Sequence, residues 1–395
     1  MNKKKILFVI DCLGYGGAEK SLISLLNAFD YERYDVKLQL HTLDKDFLRF
    51  LPHEVQVLSE LSFISHCRLG LSRILKISNF KFLIKRIYLA VGIRIEKIIG
   101  NIHPSQAYWK YAQSAFKIFN ETFDVAIAWG QGFPTHYVAS KIIANKKFAV
   151  INADYSSLKL NRDFDLNYYK KFQKIMTVSD KLKELTIDVF PEFKDKFYTL
   201  YDFNNAALIQ KLAKNNRDPF NNDDCIKIVT VGRLVKAKGY DILLDAAVKL
   251  KKQNFNYKWF VIGEGVERDF IERQIEQLNL IDRVFLLGEM ENPYPYMKNA
   301  DVYVQTSKNE GFCLTLAEAR ILNTPVVSTN FDAVHNHIHH KHNGLITEKN
   351  GQSVAEAVVE MLNNNKLREE IINNLSIEKK GNIEEIYKLY SYIEE

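Results

Sequence analysis

The chain has 395 residues, with 54 Lys and Arg against 48 Asp and Glu, and a formal net charge of +6. That length suits two domains, and so mild a charge, with no recognisable reading module, argues against nucleic-acid binding. Hydrophobic residues make up 47% and charged residues 26%, with only 8 Pro and 17 Gly, which excludes collagen-like, low-complexity and wholly disordered chains.

The first apolar run, Ile6 to Ile10, stops at Asp11, too short for the apolar core of an export signal. No stretch reaches about 18 uncharged apolar residues, so no membrane span is expected and the reading is of a cytoplasmic protein. Ile6–Ile10 reads as a strand, Gly14-Tyr15-Gly16-Gly17 as a turn, and Ala18 to Phe29, with apolar residues at helical spacing, as a helix. Further strands are predicted at 36–42, 55–58, 125–128, 148–152 and 174–178. Between them, Arg68, Arg73, Lys76, Lys81, Lys85, Arg86, Arg94 and Lys97 stand against Glu96 alone, interleaved with Ile, Leu, Phe and Tyr. This is the composition of helices resting in a lipid–water interface, facing anionic membrane; the competing reading is a core-packed helix pair with a solvated cationic face.

After Asn215 to Asp224, an Asn/Asp-rich stretch that reads as a linker, the same grammar returns. A strand at 226–231, the turn Gly232 to Gly239 and a helix from Tyr240 to Lys252 precede strands at 258–262, 284–287, 302–305 and 325–329. Strands alternating with helices predict an α/β protein built on doubly wound parallel sheets. The expected organisation is an N-terminal Rossmann-like domain over 1–204 and a second over 205–377 facing it across a cleft. Residues 378–395, with Ile386, Leu389, Tyr390 and Ile393 at helical spacing, are expected to form an amphipathic helix that returns to the first domain.

Several residues have chemistry to offer. Gly14-Tyr15-Gly16-Gly17 aims backbone N–H groups and a helix N-terminus outward, either as a phosphate or sugar cradle or as an ordinary tight turn. It is neither a Walker loop nor a dinucleotide fingerprint. In Glu310-Gly-Phe-Cys-Leu-Thr-Leu-Ala-Glu318, Gly311 breaks the helix, so Glu310 belongs on a loop and Glu318 within a helix whose first amides are open to an anion. Asp163-Phe-Asp165, an Asp-x-Asp of the kind that holds divalent ions, precedes a predicted helix at 166–175 instead of closing a strand, and is read as surface. His335, His337, His339, His340 and His342 lack a completing carboxylate and are read as structural or incidental. The four Cys (Cys12, Cys67, Cys225, Cys313) show no CxxC pair or zinc spacing, so a reducing compartment fits and neither disulfides nor a Cys-built metal site are expected.

Glu310-x7-Glu318, with Gly232-Arg233 through Lys238-Gly239, Val261-Ile-Gly-Glu-Gly265, Val284 to Gly288, Asp301 to Ser307 and Asn343-Gly-Leu345, resembles the retaining GT-B glycosyltransferases of family 4, the glycosyl transferases group 1. The likeness is strong from Ile226 to Thr347, moderate at Gly14 to Leu26, and weak from Leu43 to Asn120. It implies a nucleotide-diphosphate sugar as donor, held by the second domain, and no metal or other cofactor. Arg233 and Lys238 would meet the diphosphate, and Glu310 the hydroxyls of the donor sugar. Glu318 would meet the ribose, and Gly232 with the backbone of Phe312, Cys313 and Leu314 the phosphates or sugar, while Gly16 and Gly17 would approach from the other domain.

Two departures concern the first half. Where the family commonly carries a His at the end of a strand, this chain has Asn152, which cannot carry a proton but can hydrogen-bond a sugar or acceptor hydroxyl, with Asp154 two residues on. The hinge Asn of the family appears as Asp202. The resemblance implies a retaining, metal-independent hexosyl- or N-acetylhexosaminyl-transferase acting on a lipid-linked or surface-polysaccharide glycan. Alternatives are a nucleotide-sugar 2-epimerase of the same architecture and a non-catalytic partner subunit of a glycosyltransferase complex.

Overall fold

The computed structural model describes residues 3–14, 16–42, 48–67, 80–100, 102–214, 219–220 and 224–395. It divides the chain into one unit of Met1–Asp202 with Glu384–Glu395 and a second of Phe203–Ile383. The crossings fall at 202/203 and 383/384, against the expected 204/205 and 377/378.

The first unit holds a parallel sheet of β1 (Lys4–Ile10), β2 (Tyr34–Leu40), β3 (Gln56–Val57), β4 (Thr122–Trp129), β5 (Ile143–Ile151), β6 (Lys174–Thr177) and β7 (Phe197–Thr199), in the order β3-β2-β1-β4-β5-β6-β7. Ile6 to Val9 are wholly buried, as a strand covered on both faces requires, and this is why β1 reads as an unbroken apolar run instead of an alternating one. The short β7 carries too little pattern to be read from sequence. The helix expected at 166–175 lies instead at Arg162–Tyr169, started by the Asn161 side chain accepting from the Phe164 amide. Asp163 and Asp165 therefore sit in its first turn, not before it.

The second unit repeats the topology: β8 (Ile226–Val231), β9 (Tyr257–Ile262), β10 (Val284–Gly288), β11 (Val302–Gln305), β12 (Val326–Thr329) and β13 (Leu345–Thr347) lie parallel in the order β10-β9-β8-β11-β12-β13. Its double winding is visible along single strands. Ile228, Val302 and Val304 enter one core with the helices Tyr240–Lys252 and Gly351–Asn363, while Val229, Val231 and Tyr303 enter the other with Leu314–Ile321. Phe220 packs in that second core against Phe260 and Tyr296. The part of the expected linker that is described, Pro219, Phe220 and Asp224, thus includes a core residue of the second unit. Asn/Asp punctuation marks a loop inside a domain as readily as one between domains.

The terminal helix Ile386–Glu394 lies at the N-terminal edge of the first sheet. Tyr390 stacks on Tyr34 at 5.2 Å, meets Phe29 edge-on at 5.3 Å, and its hydroxyl accepts from the Asp30 amide. Glu394 pairs with Lys4 and Arg33, and Lys146 donates to the Ile393 carbonyl. Tyr390→Ala should remove about 3 kcal/mol of stability. Urea denaturation checks it, the expected result being a lower midpoint at unchanged slope.

Candidate functional site

In both sheets the strand order reverses beside the first strand, between β1 and β4 and between β8 and β11. Loops leaving the carboxyl ends of strands at such a reversal diverge to opposite faces and leave room for a ligand. In the second unit these loops are Gly232–Gly239, after β8, and Thr306–Cys313, after β11, and each supplies one member of a charged pair.

Lys238 Nζ lies 2.5 Å from Glu310 Oε1, and both side chains are largely buried. Burial alone would pull the Lys238 ammonium down, but the adjacent carboxylate outweighs it and the net direction is up, so the lysine stays charged. The same Glu310 oxygen accepts from Ser307 Oγ at 2.7 Å and faces Gln305 Nε2 at 3.5 Å. Gln305 donates to Ser307 at 2.7 Å and accepts from Tyr303 OH at 2.6 Å and Thr315 Oγ1 at 3.3 Å. Buried hydrogen bonds thus hold the carboxylate from inside the sheet outward, limiting its rotamers. Arg233, beside Gly232, is exposed, and its guanidinium makes no hydrogen bond or ion pair among the described residues. It is near enough to repel the Lys238 charge.

The helix Leu314–Ile321 starts directly behind Glu310. Cys313 caps it in the left-handed region, φ 70°, without a side-chain cap bond, so the Leu314 and Thr315 amides have no acceptor within the helix. A non-glycine residue held there costs about 1–2 kcal/mol. Burial, and next Glu310, push the Cys313 thiol up, so it is a protonated packing group and not a nucleophile. One helical turn on, Glu318 is 2% exposed and accepts from Tyr294 OH at 2.9 Å. Tyr294, unmarked by any motif, and the supports Gln305 and Thr315 escape sequence reading because only the packing of two helices against the end of β11 brings them here.

The His-rich segment contributes through one member. His337 Nε2 lies 2.6 Å from the Phe312 carbonyl, which can only accept, so that nitrogen carries hydrogen and fixes the loop entering the helix. His335, His340 and His342 have separate neighbours in Asn330, Ile346 and Asn374, and no group of three metal-binding side chains occurs among the described residues. Burial lowers His337 to about 4, against partial compensation by the Phe312 carbonyl. Between that value and the ordinary 6.5 the unfolded chain binds the proton that the folded one refuses, so stability falls as pH drops through this window. Thermal unfolding at pH 7 and pH 5 should show a loss that His337→Gln reduces.

In the first unit, Gly16 caps the helix Gly17–Leu26, and Glu19 in its first turn folds back over it: a β-carbon at Gly16 would fall 2.2 Å from the Glu19 carboxylate. The expected cradle therefore holds a carboxylate of its own chain. Asn152 and Asp154 follow β5, one strand away from the reversal. The loop at the reversal is Gly130-Gln131-Gly132, with both glycines at positive φ. Gln131 Oε1 accepts from the amides of Asn152 and Ala153 at 3.2 Å, joining the two loops. Asn152 Oδ1 is buried with no partner among the described residues, whereas Asp154 is occupied by Ser156 and Ser157 in its own turn. Gln131 was missed by sequence reasoning, although its flanking glycines after a strand were a usable signal. Asp163 is exposed beside Arg162, but Asp165 corrects the surface reading: it is buried, 2.7 Å from both His136 Nε2 and Tyr155 OH. Burial raises Asp202 to about 7, against the Ser21 hydroxyl that lowers it and with a smaller push upward from Glu19. Below that pH its protonated carboxyl donates and accepts as the expected Asn amide would.

Two α/β units of matched topology, each built on a parallel sheet with a strand reversal beside its first strand, define the class of two-domain proteins built on Rossmann-like sheets. Residues 213–376, almost all of the second unit, match the family described as Glycosyl transferases group 1. The chain is 30% identical over 236 residues to an uncharacterized glycosyltransferase of Methanocaldococcus jannaschii, covering 58% of each chain. To the poly(ribitol-phosphate) alpha-N-acetylglucosaminyltransferase of Staphylococcus aureus it is 28% identical over 246 residues, 59% of this chain and 48% of that protein. The chain thus spans about half the length of these curated relatives. Its fold is that of Anabaena HepE, crystallised with UDP and glucose, at a TM-score of 0.67 and 18% identity over 94% of this chain and 93% of that one. This is the GT-B fold.

Proposed function

We propose that the protein transfers a hexosyl or N-acetylhexosaminyl unit from a nucleotide-diphosphate sugar to an acceptor hydroxyl, with retention of anomeric configuration. The observation that carries this reading is the Lys238–Glu310 pair at 2.5 Å, beside exposed Arg233 and the open first turn of Leu314–Ile321. In transfer, the bond from the anomeric carbon to the diphosphate breaks, a bond to the acceptor oxygen forms on the same face, and the acceptor proton passes to the departing diphosphate. Charge grows on that diphosphate, and two cations with oriented amides stabilise it without requiring a metal. Glu310, its rotamer limited by Ser307 and Lys238, is placed to accept from sugar hydroxyls, and Glu318 with Tyr294 to meet the ribose. Asn152 Oδ1, lacking a partner among the described residues, suits a hydroxyl donor. The acceptor in this reading is a surface-polysaccharide or lipid-linked glycan; the S. aureus relative, named for transfer to poly(ribitol-phosphate), supports a polymeric acceptor.

The test is thermal shift with UDP, GDP, ADP and their sugar conjugates, followed by product stereochemistry from NMR. One nucleotide should raise the melting point by mass action, and Arg233→Ala should abolish the rise. No shift with any of them rejects the donor site. An inverted product rejects retention, and conversion of donor without acceptor points to the epimerase.

A further inference from the structure

We propose that Asp11, held in place by His41 and Tyr108, binds a hydroxyl of the acceptor and restricts the acceptor to an uncharged sugar terminus. The inference rests on the transferase reading above and names the acceptor chemistry which that reading leaves open.

The three residues come from separate elements and meet at the carboxyl edge of the first sheet. β1 and β2 run parallel with Ile10 opposite Leu40, so the next residues, Asp11 and His41, leave the sheet side by side. Their backbones stay paired: the His41 amide donates to the Ile10 carbonyl at 3.0 Å and the Thr42 amide to that of Asp11 at 2.8 Å. His41 Nδ1 faces Asp11 Oδ1 at 3.7 Å, and Nε2 lies 2.8 Å from Tyr108 OH. Phe133, the first residue of the helix that follows the reversal loop, packs on the imidazole with ring centres 4.0 Å apart. Tyr108 is carried by the helix Pro104–Ala112. Residues 68–79 of the basic apolar stretch lie outside the described residues, but the helix after them, Phe80–Ile99, braces Pro104–Ala112 through Glu96, which Lys110 and Tyr111 OH bind at 2.7 and 2.9 Å.

The imidazole orders this chain of groups. A carboxylate can only accept, so the neutral ring places its hydrogen on Nδ1, toward Asp11, and takes the hydrogen of the Tyr108 hydroxyl at Nε2. The His41 side chain is 16% exposed and that of Asp11 is 52% exposed. The covered end of the chain therefore fixes the ring, and the open end is a carboxylate that accepts no hydrogen bond among the described residues. Set on two paired strand ends, that carboxylate suits a charge-assisted bond from a sugar hydroxyl.

Charge selects among acceptors. Partial burial, and next the Glu19 carboxylate in the first turn of Gly17–Leu26, push the Asp11 carboxyl up. A phosphate on the acceptor terminus would bring further negative charge to two carboxylates that already repel one another. The hydroxyls of a neutral hexose or N-acetylhexosamine bring only hydrogens to donate, so discrimination comes from repulsion as well as from the bond formed.

Initial rates with the sugar nucleotide chosen by thermal shift test the proposal, using octyl glucoside, octyl galactoside and octyl N-acetylglucosaminide as acceptors beside the 6-phosphate of each. The wild-type chain should transfer to at least one neutral glycoside, and roughly tenfold less well to its phosphate. Asp11→Asn should raise the KM of that glycoside roughly tenfold, leave the KM of the donor unchanged and narrow the discrimination against phosphate. Tyr108→Phe, which frees the imidazole, should raise the acceptor KM about threefold with the discrimination kept. Donor binding by the wild-type chain without transfer to any neutral glycoside, or with preference for the phosphates, would overturn the proposal. So would an Asp11→Asn variant that loses melting temperature or kcat while acceptor KM and discrimination stand, since that is a structural role. Absence of nucleotide binding would instead reject the transferase reading, and this inference with it.

Discussion

Lys238→Ala is expected to lower the turnover of glycosyl transfer by roughly one to three orders of magnitude, a few kcal/mol of leaving-group stabilisation. Arg233→Ala should fall in the same range, but the two differ in what they do to the fold. Arg233 is exposed, and its guanidinium has no partner among the described residues, so its loss should leave stability within about 0.5 kcal/mol. Lys238 neutralises a largely buried carboxylate, and removing it leaves Glu310 with hydroxyl and amide donors only, at a cost of about 2 kcal/mol. The double variant Lys238→Ala/Glu310→Ala should regain part of that stability and none of the turnover. Urea denaturation and initial rates on the four proteins of the cycle separate the two roles. Full activity in both single variants would remove the diphosphate from these residues.

The second large effect belongs to the backbone beneath the pair. Gly239 has φ +67°, and a β-carbon there would lie 2.0 Å from the Thr306 carbonyl oxygen; Gly263, at φ +147°, would meet the Gly232 oxygen at the same distance. In each case the obstacle is main chain, which cannot turn aside as a side chain can. Alanine at either position should cost more than about 3 kcal/mol and lower the melting of the second unit by roughly 6–12 °C. Gly100 is the control, since its φ is +72° but nothing lies within 4 Å. Gly100→Ala should therefore show only the left-handed strain of about 1 kcal/mol. If all three variants melted alike, close approach of the loops would not be what these glycines serve. The contact matters to the site because it ties the loop after β8 to the loop after β11, and so sets where Lys238 meets Glu310.

Much of the architecture was legible in the sequence because local physics encodes it. β1, β8 and β11 are apolar runs bounded by Gly or polar turns, and the helix Tyr240–Lys252 has the residue limits its periodicity predicts. Strands of three residues, β7 and β13, carried too few positions to show a pattern. Asp163 and Asp165 were misplaced relative to their helix because Asn161 starts it earlier than its apolar spacing shows. Within the stretch read as a linker, Phe220 joins the core of the second unit, since polar neighbours do not reveal what one aromatic will bury.

By itself the sequence determined the α/β class, the repetition of one strand grammar in two halves, and which residue types stand at the carboxyl ends of strands. These follow from short-range rules, the period of apolar residues and the backbone demands of Gly and Asn. Only the tertiary structure decided which groups meet. Lys238 reaches Glu310 across 72 positions of chain, Tyr294 reaches Glu318, and His337 reaches the Phe312 carbonyl. It decided equally that Glu19 covers its own helix start and that Gln131 lies at the strand reversal of the first sheet. Strand order and register set such contacts, and they come from burying whole faces at once, a property no local window of the chain contains.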